Sequence, residues 1–193
     1  MYYYEFGPGQ EHLEITRDRF CFCCATSLRH SDLEILKKSH FHNENGTEFF
    51  SLISKKTHDD LIIPLNDYSR ALYYKYKDVD SKNGLLFPSK SNQKMNDNLK
   101  TIAKLLGFTR EVSKMQFCGK RRVDEERRLC DVIGTHSARR TFVVHSLSMG
   151  MTPEEVMSFT GHEDYDTMKP YIAVTHKKRF HDMENCFKMG EGK

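Results

Sequence analysis

The spacing of apolar residues along the chain changes character several times. After Thr16, a usable N-cap, Phe20, Cys24 and Leu28 recur at helical intervals and predict a helix. Ser31 can cap a second, short helix holding Leu33, Ile35 and Leu36. The period then shortens. His40 to His42, Glu48 to Ile53 and Leu61 to Pro64 read as three short strands, with turns at Asn45-Gly46 and at Lys56-Thr57-His58-Asp59. Asn66 caps a helix running through Leu72 and Tyr76, and a loop with Gly84 and Pro88 follows. Residues 92–106 place Leu99, Ile102 and Leu106 on one face of a helix stopped by Gly107. Residues 108–133 are mixed and basic, and predict a strand or ordered loop.

Helical spacing returns from Ser137 to Met149, ended by Gly150. Thr152-Pro153-Glu154-Glu155 is a strong helix start, with a cap, a proline at the first position and acids in the first turn. That helix ends near Gly161. A short segment at 164–172 carries Tyr171, and an amphipathic helix at about 176–188 presents Phe180, Met183 and Phe187. The fold class expected is α+β, mostly helical with a small three-stranded antiparallel sheet. Residues 1–12 read as an irregular lead-in and 13–193 as one domain.

Composition narrows the class. With 38% hydrophobic and 30% charged residues over 193 positions, the chain can bury a core without disulfides or metals. No apolar run has the length of a membrane span, so no membrane partner is expected. The six cysteines, three of them crowded at Cys21, Cys23 and Cys24, do not form a disulfide framework and favour a reducing cytosol. C-x-C-C within a helix also lacks zinc spacing, and no metal or other cofactor is expected. The net charge is only +3, but Lys55-Lys56, Lys120-Arg121-Arg122 and Arg139-Arg140 are local basic clusters. Gathered on one face they would track a phosphate backbone, which makes Lys55, Lys120, Arg121, Arg122 and Arg140 candidate DNA contacts.

Three segments carry candidate chemistry. In Thr135-His136-Ser137-Ala138-Arg139-Arg140, helical geometry puts His136 and Arg139 on one face. An arginine fork beside a histidine suits a phosphate, the first binding oxygens and the second moving a proton. Gly161-His162 follows a capped helix, and Tyr171 stands shortly beyond. Nearby cations would stabilise its phenolate, whose unperturbed pKa is about 10. Thr26-Ser27-Leu28-Arg29-His30-Ser31-Asp32 lies at a break between helices, where Asp32 can orient Arg29 through a salt bridge.

In order and spacing, the segments TSLRHSD, KKTHDDLIIPL, THSARRTF and TGHEDYDTMKPY resemble the tyrosine recombinases, also called the phage integrase family. The resemblance runs from about Thr16 to Phe187 and is to integrases of mobile elements of the Bacteroides type. It implies a catalytic set of Arg29, Lys56, His136, Arg139, His162 and Tyr171. In that set Tyr171 is the nucleophile and Lys56, with Lys55 the lesser candidate, is the acid for the leaving 5′ oxygen. It further implies site-specific cleavage and rejoining of DNA through a 3′-phosphotyrosine, with neither metal nor ATP. The expected partners are double-stranded DNA and further protomers, a tetramer in synapsis and a monomer alone, in a bacterial cytoplasm.

Two positions depart from the family pattern. Ser27 stands where glycine is common, and Pro170 precedes Tyr171, which implies a short or kinked segment there. The helical DNA-gripping domain usual in the family is expected to be absent from these residues. Two rival readings are a non-catalytic DNA-binding module and a type IB topoisomerase-like relaxation of supercoils. Covalent capture of DNA separates the first, and relaxation without synapsis favours the second.

Overall fold

The computed structural model describes residues 1–56, 58–118, 121–161 and 164–174, and for 114–118, 121–124 and 173–174 the backbone alone. The order of elements is helix α1 (Glu11–Thr26), the short α2 (His30–Leu33), strands β1 (Phe41–Glu44), β2 (Thr47–Ile53) and β3 (Asp60–Pro64), then α3 (Asp67–Tyr76) and α4 (Asn92–Leu105). A hairpin of β4 (Glu111–Cys118) and β5 (Arg121–Arg128) follows, then α5 (Leu129–Val132), α6 (Thr135–Ser148), α7 (Pro153–Thr160) and α8 (Lys169–Val174). The fold class is as expected: mostly helical, with a three-stranded antiparallel sheet in the order β1-β2-β3.

Helix α1 is the hub, packing against α6, α3 and α4. It begins at Glu11, not after Thr16. Thr16 lies within it, its Oγ1 donating to the His12 carbonyl one turn back at 2.8 Å. Apolar spacing misplaces this boundary because α1 is buried on several sides and its core face includes charges. Asp18, only 1% exposed, accepts from Arg17 Nε at 2.7 Å, Lys75 Nζ at 2.7 Å and Tyr76 Oη at 2.8 Å. Arg19, fully buried, donates to the Pro88 carbonyl at 2.7 Å and pairs with Glu34. Buried charge is tolerated where it is paired in this way. The second helix begins at His30 with Arg29 at its N-cap position, so Ser31 is inside it.

The main core joins α1 to the sheet. Phe22, Phe50 and Phe87 are essentially inaccessible, with ring centroids 5.9 Å (Phe22–Phe50) and 5.4 Å (Phe22–Phe87) apart. Each such side chain stabilises the fold by roughly 1.5–3 kcal/mol. Registers Phe50↔Ile63 and Leu52↔Leu61 put the alternating apolar residues of β2 and β3 on that core. Asn45 and Gly46, both at positive φ (50° and 84°), make the tight β1–β2 turn. Residues 108–133, expected as a strand or ordered loop, form the β4–β5 pair and α5, with Glu111↔Arg128 opening the register. A second, smaller core gathers Val143, Leu147, Val156 and Met168 from α6 and α7 onward, and Tyr171 and Ile172 pack against it.

Lys169 is helical, although a following proline disfavours that conformation. The proline sits in the first turn of α8, where its missing N–H breaks no intrahelical bond. The segment is short, as expected. The helix expected at about 176–188 lies outside the described residues, as does Lys120. Among the described residues, no helix is long and apolar enough to cross a membrane.

Candidate active site

The site forms where the end of α1, the β2–β3 turn and the start of α6 meet. Helix α1 ends at Ser27, in the left-handed region (φ 64°), with its N–H donating to the Cys23 carbonyl at 2.9 Å. That reversal turns the chain sharply into Leu28 and Arg29. The Ser27 hydroxyl is buried without a hydrogen-bond partner. Arg29 is half-buried, its Nη1 3.9 Å from Asp32 Oδ2 and 3.5 Å from Ser54 Oγ.

Asp32 does more than face Arg29. Fully buried, it accepts the backbone N–H of Lys55 at 2.9 Å, tying the lysine turn to the arginine corner. The turn closes on itself through Ser54 N–H to Asp59 at 2.9 Å and His58 N–H to Ser54 at 3.0 Å. Lys55 and Lys56 are both exposed. Of the two, it is Lys56 whose charge acts on His136.

Helix α6 carries the other pair from its first turn. It starts at Thr135, two residues before the expected Ser137. Arg139 is 4% exposed, and its guanidinium is held between the ends of two helices. Nη1 donates to the Ser27 carbonyl at 3.1 Å, and Nη2 donates to the Thr160 carbonyl. Burial, and then the charge of Arg29, bring its pKa down to about 10, so it is cationic at neutral pH. A guanidinium has more donors than these two carbonyls use, which leaves capacity for a phosphate. Exposed at the front of the helix, His136 has its imidazole held below the ordinary value. Partial burial is the main cause, followed by the charges of Arg140, Arg139, Arg29 and Lys56.

Arg29, Lys56, His136 and Arg139 are thus brought into one electrostatic neighbourhood from three separated stretches of sequence. Tyr171 joins it from α8. It is half-buried against the second core, and its phenol lies close enough to Arg139 to act on that residue's charge. His162 lies outside the described residues. Of the candidate DNA contacts, Lys55 and Arg140 are exposed beside the site. Arg121 and Arg122 stand on β5, where only the backbone is described.

Sequence reasoning missed the two carbonyl supports of Arg139, because main-chain acceptors leave no residue-type signal. It also missed Ser54, and Asn96 and Asn92 of α4, whose Oδ1 atoms accept from Thr135 N and Thr135 Oγ1, each at 2.8 Å.

The arrangement can hold a tetrahedral anion among arginines, with a lysine, a neutral histidine and a phenol in reach. Cys21 and Cys23 are core residues instead. Burial pushes their thiols up to about 11 and about 12, which keeps them protonated. Among the described residues, no three His, Cys, Asp or Glu side chains gather as a metal site would require.

The sequence pattern of the phage integrase family matches residues 10–178. No curated protein matches the chain by sequence. Solved structures do match in fold. The XerH site-specific recombinase bound to palindromic difH substrate, in a post-cleavage complex, aligns at TM-score 0.65 and 17% identity, covering 94% of this chain and 48% of its own. The XerA recombinase aligns at TM-score 0.61 and 15% identity, covering 92% and 64%. The Tn1549 transposon integrase in complex with circular intermediate DNA aligns at 0.58 and 17%, covering 92% and 64%. The chain therefore spans about half to two thirds of the length of these proteins.

Proposed function

Because this chain belongs to the phage integrase family, we propose that it cuts and rejoins DNA strands, with Tyr171 as the nucleophile. The observation that carries this reading is the convergence of Arg29, Lys56, His136 and Arg139 on one site, with Tyr171 beside Arg139. Tyr171 Oη attacks the scissile phosphorus and the 5′ oxygen departs, leaving a 3′-phosphotyrosine. Arg29 and Arg139 offset the charge that develops on the non-bridging oxygens. Lys56 protonates the leaving oxygen, and His136, held neutral, shuttles a proton at the phosphate. His162 belongs to the same set by sequence position. The phosphotyrosine conserves the bond's energy, so the reverse attack by a 5′ hydroxyl rejoins the strand without ATP.

The finer form of the reading is integration or excision of a mobile element of the Bacteroides type. The sequence segments quoted above support it, as does the likeness to a transposon integrase. Assembly with further copies on DNA is part of this reading.

A crystal soaked with orthovanadate tests the site itself. The expected result is one vanadate touching Arg29 and Arg139, with Lys56 and His136 in reach. A crystal with no anion there would overturn the catalytic reading and leave a DNA-binding module.

A further inference from the structure

At the start of helix α6 the Gly134 N–H donates to Ser137 Oγ at 3.3 Å, but no N-cap side chain accepts the Thr135 N–H. The N-cap is Gly134, which has no side chain to offer the first-turn N–H groups. The Thr135 N–H is met from another helix. Asn96 Oδ1 accepts the Thr135 N–H at 2.8 Å, and one turn earlier on α4 Asn92 Oδ1 accepts the Thr135 hydroxyl at 2.8 Å. Both partners belong to the residue immediately before His136.

The anchor is a rigid one. Met95, Leu99 and Ile102 of α4 are at most 2% exposed, and Asn98 Nδ2 donates to Thr16 Oγ1 of α1 at 3.0 Å. A side chain fixed to that core therefore sets the axial position of the first turn of α6, and with it His136 and Arg139. The glycine is explained by the same contact. Gly134 is in extended backbone (φ −156°), which any residue adopts, so conformation does not require it. A Cβ there would stand 3.0 Å from Asn96 Oδ1 and 3.6 Å from Asn96 Cγ. Closeness to Asn96 is what the missing Cβ permits.

We propose that Asn96, through its hydrogen bond to the Thr135 N–H, is a positioning residue that sets His136 and Arg139 for the phosphate, with Gly134 admitting the contact. The inference rests on the proposed phosphoryl-transfer site. Without Asn96 the helix start keeps its fold but loses its fixed distance to the core. An error of about 1 Å in such a group is enough to cost on the order of 100-fold in rate. Asn96→Asp keeps the acceptor oxygen and the shape, and its charge at a helix start is favourable. Gly134→Ala disturbs the same contact from the other side.

The test measures the affinity of the whole chain for orthovanadate, the NMR titration of His136 and the melting temperature, for wild type, Asn96→Ala, Asn96→Asp and Gly134→Ala. The expected result is vanadate binding weakened about ten-fold or more in Asn96→Ala and Gly134→Ala, with a displaced His136 titration, and near wild-type values in Asn96→Asp. Adding Asn96→Ala to Gly134→Ala should cost little more, because both break one contact. Wild-type binding with an unchanged Asn96→Ala overturns the positioning role alone. A loss in Asn96→Asp equal to that in Asn96→Ala, tracking the fall in melting temperature, also overturns it, since that is a purely structural role. Absence of binding by the wild-type chain overturns the site and the positioning role together.

Discussion

The Asp32 carboxylate accepts the Lys55 backbone N–H at 2.9 Å, while its other oxygen lies 3.9 Å from Arg29 Nη1. One buried acid thus couples the two segments that bring Arg29 and Lys56 to the site. The two oxygens have separable roles. Asp32→Asn keeps an acceptor for Lys55 but turns a neutral group toward Arg29. It should melt within a few degrees of wild type yet bind orthovanadate more weakly. Asp32→Ala also strands the Lys55 N–H, at a cost of about 1–3 kcal/mol, and should show both defects in urea unfolding and anion titration.

Ser27 occupies a left-handed position with a buried, unpartnered hydroxyl. Glycine removes both penalties, offset in part by its greater freedom when unfolded. Ser27→Gly should stabilise the chain by roughly 1 kcal/mol. Ser27→Ala, which keeps the strain, should gain less. Chemical denaturation of the three proteins checks the order.

Arg139→Lys should lose most activity and some stability. A lysine cannot meet the Ser27 and Thr160 carbonyls and a phosphate at once. A buried carbonyl left without its donor costs roughly 1–3 kcal/mol. Full activity and an unchanged melting temperature in this variant would place the arginine outside the site.

The depressed pKa of His136 has a defined sign. The folded state binds fewer protons than the unfolded state as pH falls through the ordinary histidine value. Stability is therefore lost on acidification from about pH 7, and is fully present above it. His30 and His40 are held low in the same direction, chiefly by burial, and share the slope. His136→Gln should flatten the stability profile between about pH 5 and 7 without abolishing it. Thermal melts across that range measure this.

The sheet and most helices were legible because β2 and β3 alternate cleanly, because Leu99 and Ile102 mark one face of α4, and because Asn66 and Thr152 cap α3 and α7 by accepting a first-turn N–H. The start of α1 was not legible. Arg17, Asp18 and Arg19 are buried there through partners distant in sequence, so polar letters stand at core positions. The β4–β5 hairpin was only half legible, since residues such as Glu126 and Arg127 are exposed and give no apolar alternation. Arg29, Lys56, His136, Arg139 and Tyr171 could be named from motif order. The Asp32–Lys55, Arg139–Ser27 and Asn96–Thr135 contacts could not, because each joins distant segments through a backbone atom.

Lys56→Ala should slow cleavage of ordinary DNA, and a bridging-sulfur substrate, whose leaving group needs no acid, should restore the rate. An absence of rescue would remove Lys56 from the acid role.

The role of Tyr171 as nucleophile is tested by incubating the protein with a pool of nicked duplexes of randomised sequence and isolating covalent protein–DNA adducts under denaturing conditions. That role predicts adducts whose attachment maps by mass spectrometry to Tyr171, and which vanish in Tyr171→Phe while DNA binding persists. Adducts that survive in Tyr171→Phe, or a wild-type protein that binds the pool yet forms none, would contradict it.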